Sequence, residues 1–301
     1  MKTNQKKQAA WWLGLVALAA AGCEAPADPA AFEDMRIHRQ EIKGGVVDEE
    51  STNIVGIYAA QGFAGGLCTG TLIAPNLVLT AQHCVAEVSS EFVDCGNAGF
   101  GTQLRASSVL VTTQAEFTEN PRDYYPAFGV YVPDEGNDLC GFDIALIILR
   151  NNIPEAEARP ITPRIDLLPQ QGESYTAIGY GHTGNGNGAG VRRRLENRTI
   201  QCDGPRCPSW TSVQTTEFLG DDGTCQGDSG GPAIDDQGRV LGALSRGPQG
   251  CAASVYSSVA RWGTWMREIG LTAAERGGYP EPRWVAEGNS LPDPDDGDND
   301  G

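Results

Sequence analysis

The chain has 301 residues, 39 of them glycine, and a formal net charge of -17. That charge excludes a nucleic-acid partner, because neutralising phosphates needs a basic surface. Abundant glycine with few long helical periods disfavours a helical bundle and points to short strands joined by turns.

The first residues read as an export signal. Lys2, Lys6 and Lys7 give a positive start, and the apolar run from Ala9 to Ala21 is too short to span a bilayer comfortably. The run ends Ala20-Ala21-Gly22-Cys23. This resembles the bacterial lipoprotein processing box, with Ala20 where that box carries leucine. Two readings stay open: lipidation of Cys23 after cleavage, or an ordinary secretory signal with an incidental cysteine. Either sends the chain out of the cytoplasm, to the cell envelope or the medium, with membrane contact only through the lipid. Setting Cys23 aside from the nine cysteines leaves an even number, which in an exported chain reads as disulfides. No cysteine cluster has zinc-ligand spacing with histidine, so no metal site is expected.

Residues 1–22 are thus read as signal and 23–41 as tether and propeptide, the first part Pro/Ala-rich and the second charged. Strand-like runs follow from Asn53 to Ala59, Thr71 to Ala81, Leu104 to Val111 and Asp143 to Leu149. More come at Ser174 to Tyr180, Arg194 to Gln201, Arg239 to Ser245 and Ser254 to Val259. They are apolar or β-branched and bounded by Gly, Pro or Asn. No strand–helix alternation appears, which argues against a parallel α/β fold. Gly184 to Gly190 reads as a flexible loop, and Arg192, Arg193 and Arg194 beside it as solvent-exposed. Val259, Trp262, Met266 and Ile269 fall on one face of a helix. Beyond Gly270 the pattern dissolves into an acidic tail, 271–301, read as disordered; its Asp-rich end also resembles a fragment of a calcium-binding loop.

The chemistry concentrates at three places. In Gly227-Asp228-Ser229-Gly230-Gly231, glycines flank a serine, letting backbone N–H groups converge on an oxyanion. A serine hydroxyl needs a base, and only three histidines exist. His38 lies in the propeptide and His182 in a glycine-rich stretch, whereas His83 follows an apolar run and precedes Cys84. Asp143 opens the apolar run Ile-Ala-Leu-Ile-Ile, where an unpaired carboxylate is costly and an imidazole would pair it.

Thr80-Ala-Gln-His83-Cys84, Asp143-Ile-Ala-Leu and Gly227-Asp-Ser-Gly-Gly-Pro232 resemble, in that order, the three signatures of chymotrypsin/trypsin-like serine peptidases. The resemblance runs from about Ile42 to Ile269. It implies an all-β fold of two packed six-stranded antiparallel barrels, 42–155 and 156–270, the second ending in a helix. It implies a serine endopeptidase acting on protein or peptide substrates without a cofactor, with His83, Asp143 and Ser229 as the triad. The amides of Gly227 and Ser229 would form the oxyanion hole. It further implies disulfides Cys68–Cys84 and Cys225–Cys251; Cys95–Cys140 and Cys202–Cys207 are the favoured pairings of the rest. Ile42-Lys-Gly-Gly45 resembles the mature start of the family, so an activating protease would cut before Ile42 and the new ammonium would pair with Asp228. Glu41 departs from the basic residue usual before that bond. Gly223, Thr224, Ser245, Gly247 and Ser254 map to the specificity pocket, and Ser245 also matches a serine that hydrogen-bonds the triad aspartate in the family. Gly223 stands where trypsins carry an aspartate, which implies an uncharged or apolar residue before the scissile bond; a one-residue shift would instead bring Asp222 in. Arg246 replaces a groove-lining tryptophan and would favour acidic residues upstream of the cut. A silent homologue that binds a partner, and an esterase, remain as competing readings.

Overall fold

The computed structural model describes residues 40–42, 45–61, 64–88, 93, 95–248 and 251–286. The export signal, Cys23, most of the propeptide and the Asp-rich end lie outside these residues. Among the described residues no helix is long and apolar enough to cross a membrane.

The first half is a closed barrel of six strands. Following two short strands, β1 (Gln40–Ile42) and β2 (Val46–Val47), come β3 (Ile54–Gln61), β4 (Ala64–Ala74) and β5 (Leu77–Thr80). A side hairpin follows, β6 (Ala86–Val88) with β7 (Phe100–Gln103), then β8 (Val109–Thr112), β9 (Tyr125–Tyr131) and β10 (Ala145–Leu149). The barrel order is β10-β5-β4-β3-β8-β9. Its interior is filled by Val55, Ile57, Leu72, Val78, Val111, Ile147 and Leu149, all inaccessible to solvent. Burying each such side chain contributes about 1.5–3 kcal/mol. The run from Thr71 to Ala81 is two strands rather than one, because Pro75 and Asn76 turn the chain between β4 and β5.

The second half adds β11 (Ser174–Gly179), β12 (Thr183–Gly188), β13 (Arg193–Thr199), β14 (Cys202–Asp203), β15 (Glu217–Gly220), β16 (Pro232–Ile234), β17 (Val240–Arg246) and β18 (Ser254–Ser258). All of these but β12 join β2 in an eight-stranded sheet, β14-β15-β18-β17-β16-β11-β13-β2, a half-barrel rather than the second closed six-stranded barrel expected, with the short β2 and β14 extending its six longer strands. Its core holds Tyr175, Phe218 and Tyr256, the last two stacked at 5.0 Å.

Three further expectations are revised. Thr183–Gly188 is not a loop but a strand paired with β1. Arg192 is fully buried rather than exposed. Its guanidinium donates to the carbonyls of Asp48, Ile54 and Thr113 and to the Tyr180 hydroxyl, at 2.9–3.0 Å, stitching both halves to the N-terminal segment. The domain does not end at Gly270. Helix α1 (Gly263–Gly277) continues past it, and α2 (Arg283–Ala286) inserts Trp284 and Val285 into a shared core with Leu79, Leu146 and Met266. The Trp284 indole N–H donates to Ile73 O at 3.1 Å.

Candidate active site

The register of two paired strands builds the first part of the site. Ala145 of β10 lies opposite Thr80 of β5. The residues just past Thr80 and just before Ala145 therefore meet at one end of the barrel. His83 sits there in a tight turn, Gln82–Cys84, held by the Cys68–Cys84 disulfide to β4. The Asp143 carboxylate, wholly buried, takes three hydrogen bonds. His83 Nδ1 lies 2.7 Å from Oδ2, the His83 backbone N–H donates to Oδ1 at 2.9 Å, and Ser245 Oγ donates to Oδ2 at 2.7 Å. Ser257 Oγ donates to the Asp143 carbonyl at 2.7 Å. A buried carboxylate satisfied this fully is fixed in place. Burial works to lower the His83 pKa, but the charge of Asp143 and its hydrogen bond outweigh burial and raise it above 6.5. With 20% of its side chain exposed, the imidazole keeps an open edge toward the cleft.

Ser229 comes from the loop between β15 and β16 and is half-buried. Its carbonyl accepts the Thr69 N–H at 2.8 Å and lies 3.6 Å from Cys84 Sγ, which docks the serine loop beside His83. Among the described residues no hydrogen bond joins the Ser229 hydroxyl to His83; such bonds commonly shorten only when substrate arrives. The amides of Gly227 and Ser229 donate to no other group among the described residues. Two glycines make the loop's path feasible. Gly227 has φ +93, and Gly230, φ +78, passes so close to Thr69 and Thr80 that a Cβ would lie 2.0 Å from the Thr80 hydroxyl.

Asp228, between Gly227 and Ser229, is 1% exposed. Its carboxylate accepts the N–H groups of Gly181 at 2.7 Å and Cys225 at 2.8 Å. Burial pushes its pKa up to about 7, and the two amides only partly counter that. Ile42 lies in β1, opposite Thr183; the expected pairing of its ammonium with Asp228 lies outside what the described residues show.

Around the pocket, the Gly223 N–H donates to Cys251 O at 2.8 Å, and Cys225–Cys251 is a disulfide. Thr224 Oγ1 and Ser254 Oγ are 2.5 Å apart. Gly247 lies against Ala253, whose carbonyl a Cβ would meet at 2.3 Å. Ser245, read both as pocket lining and as a match to the serine that hydrogen-bonds the triad aspartate, donates its hydroxyl to Asp143. The two acidic neighbours turn elsewhere. Asp221 accepts from the Thr199 N–H and Gln201, and Asp222, 56% exposed, pairs with Arg198.

Arg246 also departs from expectation. Its guanidinium is not open to substrate but grips the buried carboxylate of Glu217, Nη2 to Oε2 at 2.8 Å and Nη1 to Oε1 at 2.5 Å. The acidic preference assigned to Arg246 loses its basis, since the charge is already neutralised. Glu217 went unnoticed in the sequence. So did Thr69, whose hydroxyl donates to Gly227 O and accepts the Tyr180 N–H. Cys95–Cys140 and Cys202–Cys207 are the remaining disulfides. Two groups gather His and Cys within metal-binding reach, Cys68 with His83 and Cys84, and His182 with Cys225 and Cys251. All four cysteines are in disulfides and offer no thiolate.

Comparison with known proteins agrees with this architecture. The family model described as Trypsin matches residues 43–266. Trypsin alpha-4 of Lucilia cuprina is 27% identical over 66% of this chain and 76% of its own length. Trypsin of Saccharopolyspora erythraea is 29% identical over 68% and 88%, and snake venom serine protease 2 of Protobothrops jerdonii 26% over 73% and 83%. Among solved structures, the scabies mite inactivated protease paralogue S-I1 superposes with a TM-score of 0.58 at 20% identity, over 75% of this chain and 98% of that one.

Proposed function

The chain belongs to the trypsin family and is a serine-type endopeptidase acting on proteins or peptides, and from that premise we propose that His83, Asp143 and Ser229 are its catalytic triad. The observation that carries this reading is the buried, triply hydrogen-bonded Asp143 beneath His83, with the Ser229 main chain docked on Cys84 next door.

Ser229 Oγ attacks the substrate carbonyl while His83 Nε2 takes its proton. Asp143 holds the Nδ1–H and stabilises the imidazolium. The amides of Gly227 and Ser229 hold the oxyanion, each donor typically worth about 3 kcal/mol of barrier. Collapse expels the amine, which receives the proton from His83. Water then gives its proton to His83, attacks the acyl carbon and releases Ser229.

The protein is made as a zymogen cleaved between Glu41 and Ile42. Support comes from Asp228: a buried carboxylate with no cationic partner among the described residues suits an arriving ammonium. The activator either accepts Glu41 or cuts after Arg39 with later trimming. The pocket prefers an uncharged or apolar side chain, which the outward turn of Asp221 and Asp222 favours. Four disulfides mark an oxidising, extracellular compartment. The leader 1–22, the tether 23–41 and a lipid on Cys23 would deliver the enzyme there.

A fluorophosphonate probe tests the core of the proposal. It should label the cleaved protein and leave Ser229→Ala blank; an unlabelled wild type whose N-terminus is Ile42 would indicate a silent homologue. Peptide-library profiling should return uncharged residues before the cut, and a profile dominated by Arg or Lys would overturn the pocket assignment.

A further inference from the structure

The carboxylate of Glu217 is fully buried and accepts four hydrogen bonds. Two come from Arg246. The other two come from backbone N–H groups, Gly141 to Oε1 at 2.7 Å and Gln214 to Oε2 at 2.8 Å. Gly141 stands two residues before Asp143, with φ +99. Its carbonyl is held as well, accepting the Thr216 hydroxyl at 2.5 Å. Adjacent residues at the head of β15 thus clamp Gly141 on both its N–H and its C=O. The clamp reaches the catalytic carboxylate by a second route, since Arg246 Nη1 lies 3.5 Å from Ser245 Oγ, and that hydroxyl donates to Asp143.

A buried carboxylate is costly unless paired and fully hydrogen-bonded. Here it has four donors, one of them on the main chain of a distant loop, at Gly141, and one on its own segment, at Gln214. Resting on the triad assignment above, we infer that Glu217, neutralised by Arg246, is a positioning residue that sets Asp143 under His83. Glu217 itself does not touch substrate. Arg246 serves the same function, which is why its charge is withheld from the substrate groove.

The groups facing the His83–Asp143 pair are few. From β17 they are Ser245 and Arg246, from β18 Ser257, and from β15 Glu217 behind Arg246. On the loop ahead of Asp143, Asp138 is engaged with the N–H groups of Cys140 and Gly96. Of these, only the Arg246–Glu217 pair bears charge next to the hydroxyl that orients Asp143.

The test compares Glu217→Ala, Glu217→Gln and Thr216→Val in the cleaved enzyme, with active sites titrated by fluorophosphonate so that rates are per competent molecule. Displacement of a triad member by a fraction of an ångström is felt mainly in kcat. Glu217→Ala should lose about tenfold or more in kcat with KM within about twofold, and the acid limb of kcat/KM should move down by about half a pH unit as the Asp143–His83 bond weakens. Glu217→Gln keeps one acceptor for the Gly141 N–H and should recover most of the loss. If Glu217→Ala does not fold, Thr216→Val carries the test. It removes one arm of the clamp without stranding a charge, and should lower kcat about threefold with the same downward shift of the acid limb. Variants that keep the wild-type kcat and acid limb per titrated site, whatever their melting temperature, would overturn the inference. A wild type that takes up no fluorophosphonate would sink the triad assignment instead.

Discussion

The two halves that meet at the cleft are in different states of completion. On the barrel side, His83 and Asp143 are joined at 2.7 Å and every acceptor of the carboxylate is engaged, although the chain is uncleaved. On the other side, Asp228 sits buried beside Ser229 with two amide donors and no cation among the described residues. On the proposed zymogen reading, one half is finished by folding and the other awaits the ammonium that cleavage would deliver. If the chain is the zymogen proposed above, the difference would place control of activity in the serine loop, with the base–carboxylate pair already assembled.

The largest expected effect removes the contrast altogether. Ser229→Ala should reduce kcat of the cleaved enzyme by about 10⁴–10⁶-fold without altering its melting temperature, measured on an internally quenched peptide. Asp143→Asn strikes the finished half. With the wrong tautomer held at His83, kcat should fall by about 10⁴-fold, and the acid limb of the pH profile should move down. In the wild type that limb should lie above 6.5, because His83 must be neutral to accept a proton and its pKa is raised.

The unfinished half carries its own pH signature. The Asp228 pKa rises from 3.8 to about 7 on folding, so the uncleaved chain binds a proton that the unfolded chain releases. This contribution to stability is fully present below pH 3.8 and is lost as pH climbs through about 7. It amounts to about 4 kcal/mol. Denaturant unfolding of uncleaved wild type against Asp228→Asn should show the pH-dependent gap, and cleavage before Ile42 should reverse its sign by supplying a cation. A flat difference across that range would remove the contrast between the halves. The smallest effect lies away from both. Replacing Cys202 and Cys207 by serine opens a loop only five residues in span and should cost about 2 kcal/mol.

What could be read from the sequence follows from how local each signal is. His83, Asp143 and Ser229 each carry their surroundings with them: an apolar strand before the histidine, one after the aspartate, glycines around the serine. Long β-branched runs such as Ile54–Gln61 and Ala145–Leu149 were visible for the same reason. β9 was hidden because Pro126 and Gly129 interrupt it, and β15 and β16 because four and three residues are too short to show a period. Partnerships across distance left no trace. Glu217 and Arg246 are 29 residues apart, and each alone reads as a surface charge. Arg192 stood in a run of three arginines, yet the fold buries it among carbonyls and leaves its neighbours half-exposed. Of the four residues read onto one helical face, only Met266 and Ile269 lie in the helix; Val259 precedes it and Trp262 is its N-cap. Its final turns were missed because small residues, Ala273 and Ala274, do the packing there.

The most direct trial of the account is the rate at which a fluorophosphonate reacts with the protein before and after cleavage of the Glu41–Ile42 bond. If the arriving ammonium completes the oxyanion site around Ser229, the second-order rate should rise by about a hundredfold, the value of one well-placed donor. Equal rates for the two forms would mean that the serine half was already complete, and the contrast drawn between the two sides of the cleft would be wrong.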